Sequence, residues 1–221
     1  MPNNTKKKIL FAASECVPFM KTGGLADVIG ALPKAIDPER FDVRVIMPKY
    51  LCIADEWTEK MEYLTNFTVD LAWRKKYAGV FVLEYQGIKV YFIDDEYYFS
   101  GDAPYGPIHY DIEKFAFYSK AVIETCQYID FIPDLIHCHD WQAALIPVFI
   151  DEARKRMGPE GRIKTILTIH NLRFQGQWSL DGIKDITGLP DEYYRGGVLE
   201  AYGDGNYLKG TRTVTFKIKV K

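Results

Sequence analysis

Three short polar runs interrupt otherwise apolar stretches, and each carries groups able to do chemistry. Lys21-Thr22-Gly23-Gly24 sets a full positive charge beside two glycines. Paired glycines let backbone N–H groups come close to an anion, and a helix starting there adds its positive dipole end. A plain tight turn with a surface lysine accounts for the same residues, so the loop alone decides nothing. Its spacing does exclude two anion sites. It is neither the G-x-G-x-x-G of a nicotinamide Rossmann site nor the G-x-x-x-x-G-K-[ST] of a P-loop.

The second run is His137-Cys138-His139-Asp140 and the third is His170-Asn171. Period-two alternation puts His137 and His139 on one face of a strand. Asp140 precedes a helix pattern and could simply cap it. A lone histidine at a strand end is more often structural than functional, yet His137, His139 and His170 cluster at two such ends. Together with Asp140 they have plausible metal-ligand chemistry, so a metal-dependent hydrolase is one reading. That reading leaves the Lys-Thr-Gly-Gly loop unexplained. A non-catalytic glucan-binding module is another, because Tyr97, Tyr98, Tyr105 and Tyr110 could stack on sugar rings.

The elements around these runs follow from hydrophobic periodicity. Ile9 to Ser14 reads as a strand covered on both faces. A helix follows, with Leu25, Val28, Ile29, Leu32, Ala35 and Ile36 at helical spacing, and Pro38 stops it. Val43 to Met47 is a second strand. Strand, loop, helix, strand is the repeating unit of a parallel sheet. Tyr63 to Trp73, Val80 to Tyr85 and Ile88 to Ile93, the last two joined by Gln86-Gly87, suggest an antiparallel insertion at the sheet's edge. Glu96 to Tyr110 reads as a long functional loop. A helix from Ile112 to Ile129, a strand from Leu135 to Cys138, a helix from Trp141 to Met157 with Pro147 kinking it or delaying its start, and a strand from Ile163 to Ile169 complete the alternation. Beyond Asn171 the chain reads as loop-rich, with helical hints near Ile183 and Tyr193. In an open α/β sheet, ligands sit outside the carboxyl ends of the strands, where all three polar runs fall.

The balance of the 221 residues narrows the partners. A net charge of −2 leaves no electrostatic footprint for nucleic acid or an anionic membrane. No stretch reaches the ~20 apolar residues of a membrane span. The apolar run after Lys6-Lys7-Lys8 is too short for a signal peptide. Cys16, Cys52, Cys126 and Cys138 form no C-x-x-C pair, and reduced thiols in a cytoplasmic protein are expected.

The three runs together carry a family resemblance. AASECVPFMKTGGLADVIGALP (Ala12 to Pro33) closely resembles the amino-terminal signature of bacterial glycogen synthases and plant starch synthases. IHCHDWQAALIP (Ile136 to Pro147) is similar to their second block and TIHNLRFQG (Thr168 to Gly176) to their third. The likeness runs from about Lys8 to Gly210, and Gln142 stands where some members have histidine.

The resemblance implies the amino-terminal half of a GT-B glycosyltransferase: one Rossmann-like α/β domain over residues 1–221, facing a carboxy-terminal nucleotide-binding domain that this sequence does not contain. The implied reaction is retaining transfer of glucose from ADP-glucose (UDP-glucose in some members) to an α-1,4-glucan, with no metal and no nicotinamide cofactor. By position in the blocks, Lys21 and the backbone of Gly23 and Gly24 would meet the donor diphosphate. Asp27 would order that loop or touch the sugar. His170 would donate a hydrogen bond at the transferred glucose, with Asn171 supporting it. Asp140 would face sugar hydroxyls, Tyr105 would border the cleft, and Trp141 would pack the second block. The basic alternating stretch from Thr211 to Lys221 fits nothing in the family; an edge strand is one expectation for it. Half a cleft implies little or no transfer by this chain alone.

Overall fold

The apolar run after Lys8 forms β1 (Lys7–Ala12), and Ile9 to Ala12 are all buried because other elements cover both faces. The computed structural model describes residues 6–156 and 163–214. β1 is flanked by β2 (Phe41–Pro48) and β6 (Leu135–His139), both parallel to it. β5 (Ile88–Asp94) continues the parallel sheet beyond β2, and β7 (Lys164–Thr168) continues it beyond β6. β4 (Arg74–Tyr85) pairs antiparallel with β5 and with the edge strand β3 (Glu62–Leu71). The order across the sheet is β3-β4-β5-β2-β1-β6-β7. β3 and β4 therefore form the expected antiparallel edge, whereas Ile88 to Ile93, expected to belong to the same insertion, is β5, which pairs parallel with β2 on its other side. On β3 the buried residues Phe67, Val69 and Leu71 alternate with exposed ones, the pattern of a strand covered on one face.

The chain builds outward from β1 to β2 and β5, then returns to lay β6 and β7 on the other side. The sheet thus reverses between β1 and β6, and loops leaving those two strands diverge and open a crevice. α1 (Gly24–Ala35) begins at the second loop glycine. Gly30 within it admits the preceding loop, since a Cβ there would stand 2.2 Å from Val17 Cγ2. Over the same crevice passes α4 (Ile108–Tyr128), whose Tyr118 hydroxyl reaches Ala13 O at 3.0 Å and Ile46 O at 2.9 Å, tying the ends of β1 and β2.

Several expectations need correction. The stretch from Glu96 to Tyr110 is not one loop. α2 (Asp55–Thr58) lies earlier in the chain, and α3 (Glu96–Phe99) opens this stretch, with Asp95 capping it by accepting the Tyr98 N–H at 3.1 Å. α4 then starts directly after Pro107, four residues before Ile112. The helix expected from Trp141 begins as a single 3-10 turn, Trp141–Ala143, and continues as α5 (Leu145–Arg156) with Pro147 in its first turn, where no partner for its N is needed. Met157 lies outside the described residues. The region after Asn171 holds more structure than its composition suggested: β8 (Gln177–Trp178), α6 (Leu180–Thr187), β9 (Glu200–Ala201), β10 (Asp204–Asn206) and α7 (Tyr207–Val214). The three short strands form their own sheet in the order β8-β10-β9. Thr211 to Val214 belong to α7 rather than to an edge strand, and residues 215–221 lie outside the described residues.

Candidate functional site

The end of β1 supplies a buried carboxylate that the sequence reading did not single out. Glu15 accepts the Thr22 N–H in a very short bond, the Thr22 hydroxyl at 2.7 Å, the Gly23 N–H at 3.3 Å and the Tyr105 hydroxyl at 2.5 Å. Since the Tyr105 proton goes to Glu15, the Ser14 hydroxyl donates to the Tyr105 oxygen, at 2.7 Å. One carboxylate therefore sets the glycine loop against the strand end. Gly23 has extended backbone (φ −154°), so glycine is not required there for its conformation. A Cβ on Gly23 or Gly24 would meet no protein atom within 4 Å. The open space in front of both glycines, and the α1 N-terminus behind them, is what an approaching anion needs.

Asp140 ends β6 in a conformation rare for anything but glycine, φ 56° and ψ −173°. Such a backbone costs about 1–3 kcal/mol and persists where its surroundings over-determine it. Its N–H donates to Thr168 O at 2.9 Å, and its Oδ1 accepts the N–H groups of His170 at 2.6 Å and Asn171 at 3.2 Å. The carboxylate makes no cap to the turn that follows it. Asp140 instead clamps the end of β7 to the end of β6, which orients the His170-Asn171 pair.

Pro104 to Gly106 are fixed from α4. Asp111 and Lys114 form an ion pair of 2.7 Å with both side chains almost wholly buried. Asp111 Oδ2 accepts the Gly106 N–H at 3.0 Å, and Lys114 Nζ donates to Pro104 O at 2.9 Å. Tyr105 is thus held on both sides in the chain and again through its hydroxyl. Burial first, and then Glu15, push its phenol well above the usual range, so it stays protonated and keeps donating.

These groups enclose a cavity of about 820 Å³, lined by Gly23, Gly24, Tyr105, Asp140, His170 and Asn171 among others. Six of the eight residues expected at the site therefore come together from four separate segments. Lys21 and Asp27 do not line it. They stand at the rim, largely exposed, paired with each other at 2.7 Å. The carboxylates in the lining, Glu15, Asp111 and Asp140, all hold backbone or phenol donors. Glu15 was missed because its role depends on which loop folds back over it; the one sequence signal was a charged residue directly after a buried strand.

The histidines form a stack behind the cavity. His137 and His139 ring centroids are 4.2 Å apart and those of His139 and His170 are 5.2 Å apart. His137 Nε2 bonds the Thr168 hydroxyl at 2.7 Å, and His139 Nδ1 lies 2.9 Å from His170 Nε2. Burial first, then its charged-state repulsion with His170, brings His137 down to about 4; burial, then His137 and His170, brings His139 down to about 2. Nitrogens facing one another do not converge on a common ion. Among the described residues no group of three or more such side chains has the arrangement to hold a metal, so the hydrolase reading finds no support.

The chain is 58% identical over 204 residues to a glycogen synthase of Lachnospira eligens, covering 92% of this chain and 43% of that one. It is 55% identical to a glycogen synthase of Lachnoclostridium phytofermentans with the same coverages. It therefore spans well under half the length of these relatives. Among solved structures, the catalytic domain of starch synthase IV from Arabidopsis thaliana, bound to ADP and acarbose, superposes with a TM-score of 0.80 at 24% identity, covering 96% of this chain and 44% of that one. That likeness establishes the α/β fold as the one found in a GT-B starch synthase. The starch synthase catalytic domain family matches residues 8–218, and the protein belongs to it.

Proposed function

We propose that this domain forms the amino-terminal wall of a glucosyltransferase cleft, moving glucose from a sugar nucleotide to an α-1,4-glucan. The observation that carries the reading is that the glycine loop and the His170-Asn171 pair, far apart in sequence, line one cavity at the point where the sheet reverses. Cleaving a glycosyl–phosphate bond leaves a diphosphate, and fixed N–H groups stabilise such a charge without reorganising. The α1 N-terminus, which opens at Gly24, suits that task, with Gly23 leaving it room while its own N–H goes to Glu15. Lys21, exchanging Asp27 for the diphosphate, would add a full charge. His170 would donate to the transferred sugar, Asn171 would support it, and Tyr105 would border the cleft. The cavity's carboxylates are occupied in holding the site, which favours a mechanism driven at the leaving group over one with an enzyme nucleophile. Neither metal nor nicotinamide has a role in it.

ADP-glucose is the proposed donor, supported by the ADP in the Arabidopsis structure. The opposite wall, with most of the nucleoside contacts, would come from a carboxy-terminal domain. Free thiols at Cys16, Cys126 and Cys138, all buried, fit a cytoplasmic setting, and among the described residues no helix is long and apolar enough to cross a membrane.

The reading is tested by fusing this chain to the carboxy-terminal domain of the Lachnospira eligens relative and measuring transfer from ADP-glucose and UDP-glucose to glycogen. His170→Ala and Lys21→Ala should each lower kcat/KM by about 100-fold, as loss of a single transition-state donor does. Unchanged kcat/KM in both variants would remove the proposed site.

A further inference from the structure

The transferase reading gives a task to neither His137 nor His139, and of the two it is His139 that meets His170. The His139 ring has no solvent exposure and packs against both Phe11, stacked at 5.6 Å, and His137 at 4.2 Å. Its Nδ1 faces His170 Nε2 at 2.9 Å, while its own Nε2 has no hydrogen-bond partner. Two neutral imidazoles that meet nitrogen to nitrogen share one proton, and burial keeps His139 neutral.

The shared proton has two possible homes. On His170 Nε2, it makes His139 Nδ1 the acceptor and sends the His139 proton to Nε2, where a buried N–H would have no partner. On His139 Nδ1, it leaves only an unused lone pair at that buried Nε2. Orphaned buried N–H groups are rarer in folded proteins than under-used acceptors. The second arrangement is the cheaper one. It leaves His170 with its proton on Nδ1, the ring nitrogen not engaged by His139, and the His170 ring lines the cavity.

We propose that His139 is a positioning residue that fixes His170 as the Nδ1–H tautomer, so that His170 presents a donor to the cleft. This reverses the preference of a free neutral histidine, whose proton favours Nε2. A donor at that place suits a ligand oxygen, a sugar hydroxyl in the transferase reading on which this last step rests. Without the partner, His170 would present mainly a lone pair, which could only accept from the sugar hydroxyl and not donate to it.

The tautomer is measurable without any substrate. In the 221-residue chain labelled with 15N-histidine, long-range proton–nitrogen spectra at pH 8 need resolve only His109, His137, His139 and His170. His170 should show a protonated, pyrrole-type Nδ1 and a pyridine-type Nε2. His139→Phe should move His170 to the Nε2–H pattern. His139→Asn, whose side-chain amide can place an N–H where Nδ1–H stood, should restore the Nδ1–H pattern. A wild-type His170 protonated at Nε2, or a pattern unchanged in His139→Phe, overturns the proposal. Should His139→Phe fail to fold, the wild-type spectrum decides alone. Failure of the fusion protein to transfer glucose would sink the transferase reading and leave this spectrum untouched, so the two fail separately.

Discussion

A Cβ on Gly23 or Gly24 would meet no protein atom within 4 Å, so space for a ligand, not packing, is what a side chain there would take. Gly23→Ala should change folding stability by less than about 1 kcal/mol, because an N-cap position tolerates alanine at roughly that cost. In the fusion protein it should raise the KM for ADP-glucose at least tenfold, since a methyl group would fill the open approach to the α1 N-terminus. Urea denaturation and initial-rate kinetics separate the two effects. A large stability loss with unchanged KM would return the loop to the plain-turn reading. The histidine stack makes a second prediction. His137 and His139 fall from 6.5 to about 4 and about 2 on folding, so the unfolded chain binds more protons than the folded one below pH 6.5. Stability is complete above that value and declines as pH falls through it, by up to about 1.4 kcal/mol per pH unit for each histidine. Between pH 7.5 and 5.5 the free energy of unfolding should fall by about 3 kcal/mol, well before carboxylates titrate. A flat profile over that range would contradict the burial assigned to the pair. The residue types of this site were visible in the sequence, but their tasks were not all so. His170 and Asn171 stand at the cavity as their strand-end position suggested. Asp140 holds backbone N–H groups rather than capping a helix, and Lys21 waits at the rim on Asp27. Such pairings depend on atoms from other strands, which spacing along one chain does not reveal.

At the scale of elements, periodicity found the sheet strands and the long helices, while local capping chemistry decided where they start. Tyr-rich composition made the segment before α4 look irregular, but Asp95 nucleates α3 and Pro107 admits α4 early. The late start of α5, with Pro147 in its first turn, was readable, because proline is disfavoured in a helix interior. What no periodicity could show is that α4 carries the support for the Tyr105 segment. Lys114→Met should cost about 3–5 kcal/mol, the price of leaving a buried carboxylate unpaired. Adding Asp111→Asn should recover part of that loss. Chemical denaturation of the single and double variants checks this, and an equal loss in both would deny the pair its part. Glu15→Gln should likewise cost about 3 kcal/mol, since a neutral amide cannot accept from Thr22, Gly23 and Tyr105 together. Circular dichroism against urea would read it, and a loss under about 1 kcal/mol would show that the loop is held by something else.

At the scale of the whole molecule, the reversal of the sheet between β1 and β6 gives the cavity its position, and the same reversal leaves it open on one side. Three sequence blocks sufficed to name the family because each lies at a strand end that faces this opening. The chain spans 43% of the length of the Lachnospira eligens relative, which leaves room there for the second wall proposed above. The most direct measurement is glucose incorporation into glycogen from labelled ADP-glucose, by this chain alone and by this chain titrated with the separately purified carboxy-terminal domain of the Lachnospira eligens relative. The account predicts background incorporation by the chain alone and a saturable rise as the second domain is added. Robust transfer by the 221-residue chain alone, or none when the second domain is present in a confirmed complex, would contradict it.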